Sequence, residues 1–196
     1  MIRSFNGKSP KIHPTAFVSE AAYVVGDVEI GPYCSVWPGA IIRANIYKIV
    51  LSEYVDIQDN CVVHSDGDAW YGPYTTLGHH VMCHATTVGA NCLVGNGATI
   101  NGGAIVGEFS IVGSGSVVLE SKDIPPHSFV TGIPAEVRGP TTERHHQLAR
   151  RTAEGYARNG QSFKAEGLGD VPKQFLMPEE WRPTPGPFPP REQRGA

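Results

Sequence analysis

The sequence predicts a β-solenoid of triangular cross-section, followed by one helix and an extended tail. Three observations predict it. An aliphatic residue returns every six positions, at Val88, Val94, Ile100, Val106, Val112 and Val118. The next position is usually Gly or Asn (Gly89, Gly95, Asn101, Gly107, Gly113), and the fourth is small (Cys92, Ala98, Ala104, Ser110, Ser116). The chain also carries 23 glycines in 196 residues, which favours many tight turns over long helices. A period of six fits neither an α-helix nor a plain alternating strand. It fits a prism with one hexapeptide per side. The aliphatic residue fills the centre, the small one packs beside it, and the Gly or Asn takes the corner, where positive φ is often needed.

The same frame holds upstream through Ile30, Val36 and Ile42, through Leu51, Ile57 and Val63, and through Leu77 and Cys83. Its small slot there holds Cys34, Ala40, Cys61 and Val81, with the larger Ile46 and Val55. The frame breaks by insertion between Ile42 and Leu51 and between Val63 and Leu77, and by deletion of one residue between Cys83 and Val88. Such breaks are loops, and loops are where function tends to sit. Side chains about eighteen residues apart should stack on one edge, with coils about 4.8 Å apart. "IPPHSFVTGIPAEVRG" should close the solenoid, which gives it residues 1–140. Residues 141–167 read as a helix packed along the prism, with Leu148, Ala149, Ala153, Tyr156 and Ala157 on a weakly apolar face. Residues 168–196 end in "WRPTPGPFPPREQRGA", too rich in Pro and Gly to continue a helix, and are expected to be an extended tail, ordered against a neighbouring chain.

This periodicity resembles the hexapeptide-repeat, left-handed parallel β-helix proteins over roughly residues 11 to 135. The hand is implied by the resemblance, since a period alone does not set it.

Into this frame "TTLGHHVMCHATT" puts His79, His80 and His84. Ile42, Val63 and Cys83 fall on one side of consecutive coils, so the residues after them, Arg43, His64 and His84, should form one outward column. His64 and His84 are then stacked neighbours able to share a metal. The preceding side carries Gln58, Asp59 and His79, toward a different edge. One chain cannot easily bring the histidines together, but a threefold trimer can, with His64 and His84 from one chain and His79 from the next. Three neutral imidazoles around Zn²⁺ leave a fourth position open, the arrangement of a catalytic site, and water there ionises near pH 7. The alternative is that these are ordinary surface histidines. His80 should point elsewhere, and His13, His127, His145 and His146 read as solvated or capping residues.

"IIRANIYKIVLSEYVDIQDNCVVH" followed by "LGHHVMCHA" resembles the γ-class carbonic anhydrase family. The resemblance implies His64, His79 and His84 as metal ligands, Gln58 as a hydrogen-bond partner of the water on the metal, and an Arg43–Asp59 salt bridge across the interface of a homotrimer. It implies Zn²⁺, with Fe²⁺ or Co²⁺ accepting the same ligands. The sequence departs from the family at Asn45, where an acidic residue is usual, and at Asp56, where an asparagine is usual. The tyrosine expected near the site from the C-terminal helix is replaced by Gly160 in "ARNGQSF". Asp66 and Asp68 lie in the loop after His64, but a glutamate proton shuttle does not. Trp70, Tyr71 and Tyr74 either wall a pocket or pack that loop down.

A net charge of −3 without a basic run gives no sign of nucleic-acid binding. The absence of a long apolar stretch gives no sign of a membrane span, so a cytoplasmic protein is expected. Cys34, Cys61, Cys83 and Cys92 should be buried thiols in a reducing compartment. The leading functional expectation is hydration of CO₂ to bicarbonate. The alternatives are metal-dependent hydrolysis of acyl-CoA thioesters or related small substrates, metal-free acyl transfer, and an inactive trimeric assembly subunit.

Overall fold

The computed structural model describes residues 1–182 and 186, so most of the segment after Arg182 lies outside the described residues. Over the described residues the chain is a parallel β-solenoid of about seven turns with one C-terminal α-helix, and its hexapeptide repeats fit a left-handed β-helix. Two prism faces belong to one sheet of twelve strands, because Tyr23–Ile30 and Ile41–Leu51 run around a corner unbroken. The third face is a separate sheet of eight strands. Its last strand, Ala135–Pro140, turns back antiparallel on Ser128–Gly132 and closes the solenoid.

The expected aliphatic slots form three interior ladders. Ile42, Val63, Cys83, Ile100 and Val118 stack on one face, and Ile57, Leu77, Val94, Val112 and Val130 on another; every one is buried. The third ladder is Leu51, Tyr71, Val88, Val106 and Ile124. Tyr71 is therefore a core residue, 0 % exposed, rather than part of a loop or pocket wall. Its bulk fits because the smaller Cys83 fills a facing slot, with the Tyr71 hydroxyl 3.4 Å from Cys83 Sγ. The break after Val63 is thus a two-residue insertion that ends at Tyr71, where the frame resumes.

Two slot assignments need correction. Ile46 is not inward: it is 63 % exposed on the insertion that bulges from strand Ile41–Leu51, whereas Val55 is buried as expected. The left-handed backbone also does not sit directly after the aliphatic residue. It falls three positions after it, at Asn91, Gly97, Gly103, Phe109 and Gly115, and upstream at Tyr54, Tyr74 and His80. The glycines directly after the aliphatic residue serve close approach between coils. A Cβ on Gly89 would lie 2.4 Å from Glu108 N, and one on Gly107 would lie 2.3 Å from Pro126 N.

The helix α1, Glu143–Ala165, lays Ala149, Ala153, Ala157 and Gly160 on the prism. Gly160 sits so close to Phe17 that a Cβ would come within 2.9 Å of it. His145 caps the helix, accepting the Thr142 N–H at Nδ1 (3.1 Å). The first part of the expected tail is ordered against its own chain. Met177 N–H donates to Ile12 O, His13 Nε2 lies 3.0 Å from Glu179 O, and Phe175 and Met177 are buried over the first coil. His13 is accordingly buried rather than solvated. All four cysteines are free and buried, and burial pushes their thiols up, out of the reactive range.

Candidate metal centre

Strand register builds the first half of the site. Ile42 pairs with Val63 and Val63 with Cys83, so the following residues Arg43, His64 and His84 share an edge, as the column argument requires. The His64 and His84 rings are 5.1 Å apart, edge to face. His64 Nδ1 lies 2.7 Å from the Arg43 carbonyl oxygen. A carbonyl only accepts, so Nδ1 carries the proton and Nε2 keeps its lone pair, the tautomer a metal needs. Burial lowers the His64 pKa, and the nearby Arg43 and His84 lower it further against the hydrogen bond to the Arg43 carbonyl, which favours the neutral ring. His84 rests over Gly102, where a Cβ would come within 3.1 Å of Nδ1. Asp66, on the inserted loop, brings Oδ1 to 4.0 Å from His84 Nε2. His64, Asp66 and His84 each offer one ligand atom within 4.8 Å of the others.

The second half lies on the edge after Ile57 and Leu77, which pair in register. His79 Nδ1 is 2.9 Å from Asp59 Oδ2, so the carboxylate holds the Nδ1–H and directs the Nε2 lone pair away. The Tyr156 hydroxyl of α1 stands 3.4 Å from that Nε2. Gln58 donates from Nε2 to Asp56 Oδ2 (2.9 Å), which leaves its carbonyl Oε1 as the amide end free of Asp56. Gln58 and His79 line a cleft with Asn96, Ser114, Thr152 and Tyr156. Asp56 is fully buried and also accepts from Ser35 Oγ (2.8 Å) and Trp37 Nε1 (2.9 Å) at Oδ1. Burial outweighs these three hydrogen bonds and pushes its carboxyl up to about 7.

The structure thus gathers His64 and His84 on one edge, and Gln58, Asp59 and His79 with Asp56 beneath them on another. It does not bring His79 to the histidine pair within one chain. Nor does Arg43 meet Asp59 within the chain: its Nη1 donates to Asn45 Oδ1 at 2.7 Å. His80 is exposed in a turn with φ 60°, its backbone N–H bonded to Asp59 O (2.9 Å).

Two residues at the site were missed as such. Tyr156 was read only as part of the apolar helix face, and it occupies the neighbourhood for which Gly160 was a poor fit. Sequence spacing places Asp66 in the inserted loop after His64 without marking it as a donor beside the histidines; the insertion that carries it was the available signal. The aromatic loop, in turn, does not wall the histidines. Tyr74 stacks on Tyr54 (4.6 Å), which stacks on Tyr33 (5.0 Å), along the opposite corner, and the Arg150 guanidinium lies 3.3 Å above Tyr74. Trp70 lies on the outer side of strand Ala69–Tyr71, against Gly186.

The pattern of the family "Bacterial transferase hexapeptide (six repeats)" matches residues 85–120. A protein named "Probable carbonic anhydrase" from Methanocaldococcus jannaschii is 43 % identical over 150 residues, 76 % of this chain and 94 % of that protein. A "Carbonic anhydrase" of Geobacillus kaustophilus is 35 % identical over 167 residues, covering 84 % of this chain and 92 % of that one. Among solved structures, a hexapeptide transferase family protein from Anaplasma phagocytophilum superimposes with a TM-score of 0.80 at 31 % identity, over 83 % of this chain and 98 % of that chain. With the solenoid, both histidine groups and relatives of this extent, the chain belongs to the γ-class carbonic anhydrase-like family of hexapeptide-repeat proteins.

Proposed function

We propose that the protein is a metal-dependent lyase that hydrates CO₂ to bicarbonate at sites shared between the subunits of a homotrimer. The observation that carries this reading is the preparation of two imidazoles on different edges. His64 and His79 each have Nδ1–H tied to an oxygen, the Arg43 carbonyl and the Asp59 carboxylate, and each is left with an Nε2 lone pair. Two histidines pre-set as donors, with His84 stacked on one of them, fit Zn²⁺, and Fe²⁺ or Co²⁺ accept the same set. A chain edge holding His64 and His84 joined to a neighbour's edge holding His79 completes the ligand set.

Bound by these histidines, zinc would supply an acidified water, ionising at about pH 7, as the nucleophile for CO₂. The chain's own groups do the rest. Asp59 fixes the tautomer and the ring orientation of His79. Asp56 fixes the Gln58 amide, so that Oε1 can accept a hydrogen bond and orient the donor beside CO₂. Arg43 of one chain and Asp59 of the next pair across the interface and set the distance between the half-sites. Exposed buffer molecules take the released proton. The test is metal analysis with a CO₂-hydration assay on protein prepared with and without oxygen. A fully metallated trimer inert toward CO₂ in both preparations would overturn the reading.

Acyl transfer is the second reading, because the matching repeat family and the superimposed structure are both named for transferases. The Asp59–His79 pair has the form of an oriented general base, with the carboxylate on Nδ1 and Nε2 directed into the cleft. Acyl-CoA consumption that persists after complete metal removal would favour it. Thioester hydrolysis that requires the metal would instead keep the site and change its substrate.

A further inference from the structure

We propose that a single chain holds a divalent cation by itself, through His64, His84 and Asp66, before or without His79 of a neighbour. The inference rests on the reading of His64 and His84 as ligands and goes beyond it in adding a third donor from the same chain. Each of the three side chains offers a ligand atom within 4.8 Å of the others. The His64 tautomer is set by a backbone carbonyl of its own chain, so this donor is ready whether or not a partner is present. The floor under His84 is the glycine at 102, which leaves its ring room to settle.

The loop that carries Asp66 is anchored on both sides of it. Ser65 is buried and its Oγ accepts the Gly67 N–H (3.4 Å), while Asp68 Oδ1 accepts the Lys48 N–H (2.9 Å) from the adjacent coil. The Asp66 side chain is 84 % exposed, with Oδ1 4.0 Å from His84 Nε2. Two imidazoles and one carboxylate on one face, with open positions opposite, form a set that Fe²⁺, Co²⁺ and Zn²⁺ all accept. In the trimer the neighbour's His79 competes for the third position. It arrives pre-oriented by Asp59 and carried on a tight corner, so it displaces the exposed carboxylate. Asp66 therefore matters to binding only where His79 is missing. The half-site lets metal loading precede assembly and gives the incoming edge a charge to close upon.

The test is a double-mutant cycle on metal affinity, read by Co²⁺ and Zn²⁺ competition against a chromophoric chelator. Wild type, Asp66→Ala, His79→Ala and the Asp66→Ala/His79→Ala protein are compared after metal removal, with sedimentation to record assembly. Asp66→Ala alone should change the Kd less than about threefold, because the imidazole holds the third position. His79→Ala should still bind one cation per chain, more weakly than wild type, whether it sediments as a trimer or as single chains. The double variant should lose at least a further factor of about ten, the scale for removing a metal-site partner. Equal effects of Asp66→Ala in both backgrounds, or a His79→Ala protein that binds no cation, would overturn the proposal and leave the shared site standing. His64→Ala binding as tightly as wild type would overturn the ligand reading itself.

Discussion

The Asp59 carboxylate holds His79 Nδ1 at 2.9 Å, on the turn between two prism faces. This contact lies within one chain, whereas the expected role of Asp59 was toward Arg43 of another. The two roles are compatible, because a carboxylate has two oxygens and accepts on both. Asp59→Ala should therefore weaken metal binding about 10–100-fold, the usual effect of removing such a partner. Asp59→Asn keeps an acceptor for the Nδ1–H and should recover most of the loss. Competitive titration with Zn²⁺ checks it; an alanine variant that binds as tightly as wild type would show that His79 is not held for a metal.

The side-chain role of Arg43 can be separated from its backbone role. Its carbonyl sets the His64 tautomer, and no substitution of the side chain removes that carbonyl. Arg43→Ala should thus leave the His64 and His84 edge intact and weaken only the trimer. Breaking a buried interfacial Arg–carboxylate pair from one side costs about 3–5 kcal/mol. Sedimentation should show dissociation at dilutions where wild type stays assembled. An intact, fully metallated trimer at those dilutions would remove Arg43 from the interface.

Tyr71 is the position at which packing and access can be told apart. It fills an aliphatic slot opposite Cys83, so Tyr71→Ala leaves a cavity inside the prism and should cost roughly 3–5 kcal/mol, as other large aromatic truncations do. Tyr74→Ala, on the half-buried corner stack, should cost less. Neither should shift the preference between CO₂ and bulkier substrates, since neither lines the cleft beside His79. Denaturant unfolding together with relative activities decides this, and a change of selectivity with unchanged stability would return the aromatic loop to the site.

These outcomes mark what was legible. A stacked coil repeats its interior demands every turn, so the aliphatic and small slots were readable from residues such as Val94, Val112 and Ala98. Tyr71 was hidden because its size is balanced by Cys83, a partner twelve residues on and across the same coil, that no local period reveals. The corner was readable, but not its chemistry: glycine directly after the aliphatic residue meets the next coil, and positive φ comes two residues later at Asn91 or Gly97. The stacking of His64 on His84 followed from register alone. The approach of Tyr156 to His79 depends on how α1 lies on the prism, which Gly160 against Phe17 fixes and sequence spacing does not.

Asp56 gives the stability a pH dependence of definite sign. Burial raises its carboxyl to about 7, while in the unfolded chain it ionises near the ordinary carboxylate value of about 4. Between those values the folded protein keeps a proton that the unfolded chain has lost. Its contribution to stability is therefore fully present below about pH 4 and declines as pH rises toward 7. Asp56→Asn removes this slope, so thermal unfolding of metal-free protein should show the variant gaining on wild type from pH 5 to pH 8. The same substitution should lower CO₂ hydration. Ser35 and Trp37 hold the oxygen of the new amide, its nitrogen faces Gln58, and Gln58 must turn its own amide around. An equal stability difference at both pH values would place the titration elsewhere.

The division of the site between chains has the most direct test. Homogeneous trimers of His79→Ala chains lack a ligand at every interface, and so do homogeneous trimers of His64→Ala chains. Both should be nearly inactive and should lose metal to a chelator of moderate strength, which also strips any weaker single-chain site. Co-expression of the two variants changes the arithmetic. Around a closed threefold ring containing both kinds of chain, one interface always joins the intact His64 and His84 of a His79→Ala chain to the intact His79 of a His64→Ala chain. Mixed trimers, isolated through two different tags, should then retain about one tightly held metal each and part of the wild-type activity. A site built wholly within one chain would give no such rescue from this pair, because each chain would lack one of its own ligands. Mixed trimers that assemble normally and hold no metal against the chelator would mean that the edges carrying His64 and His79 do not meet.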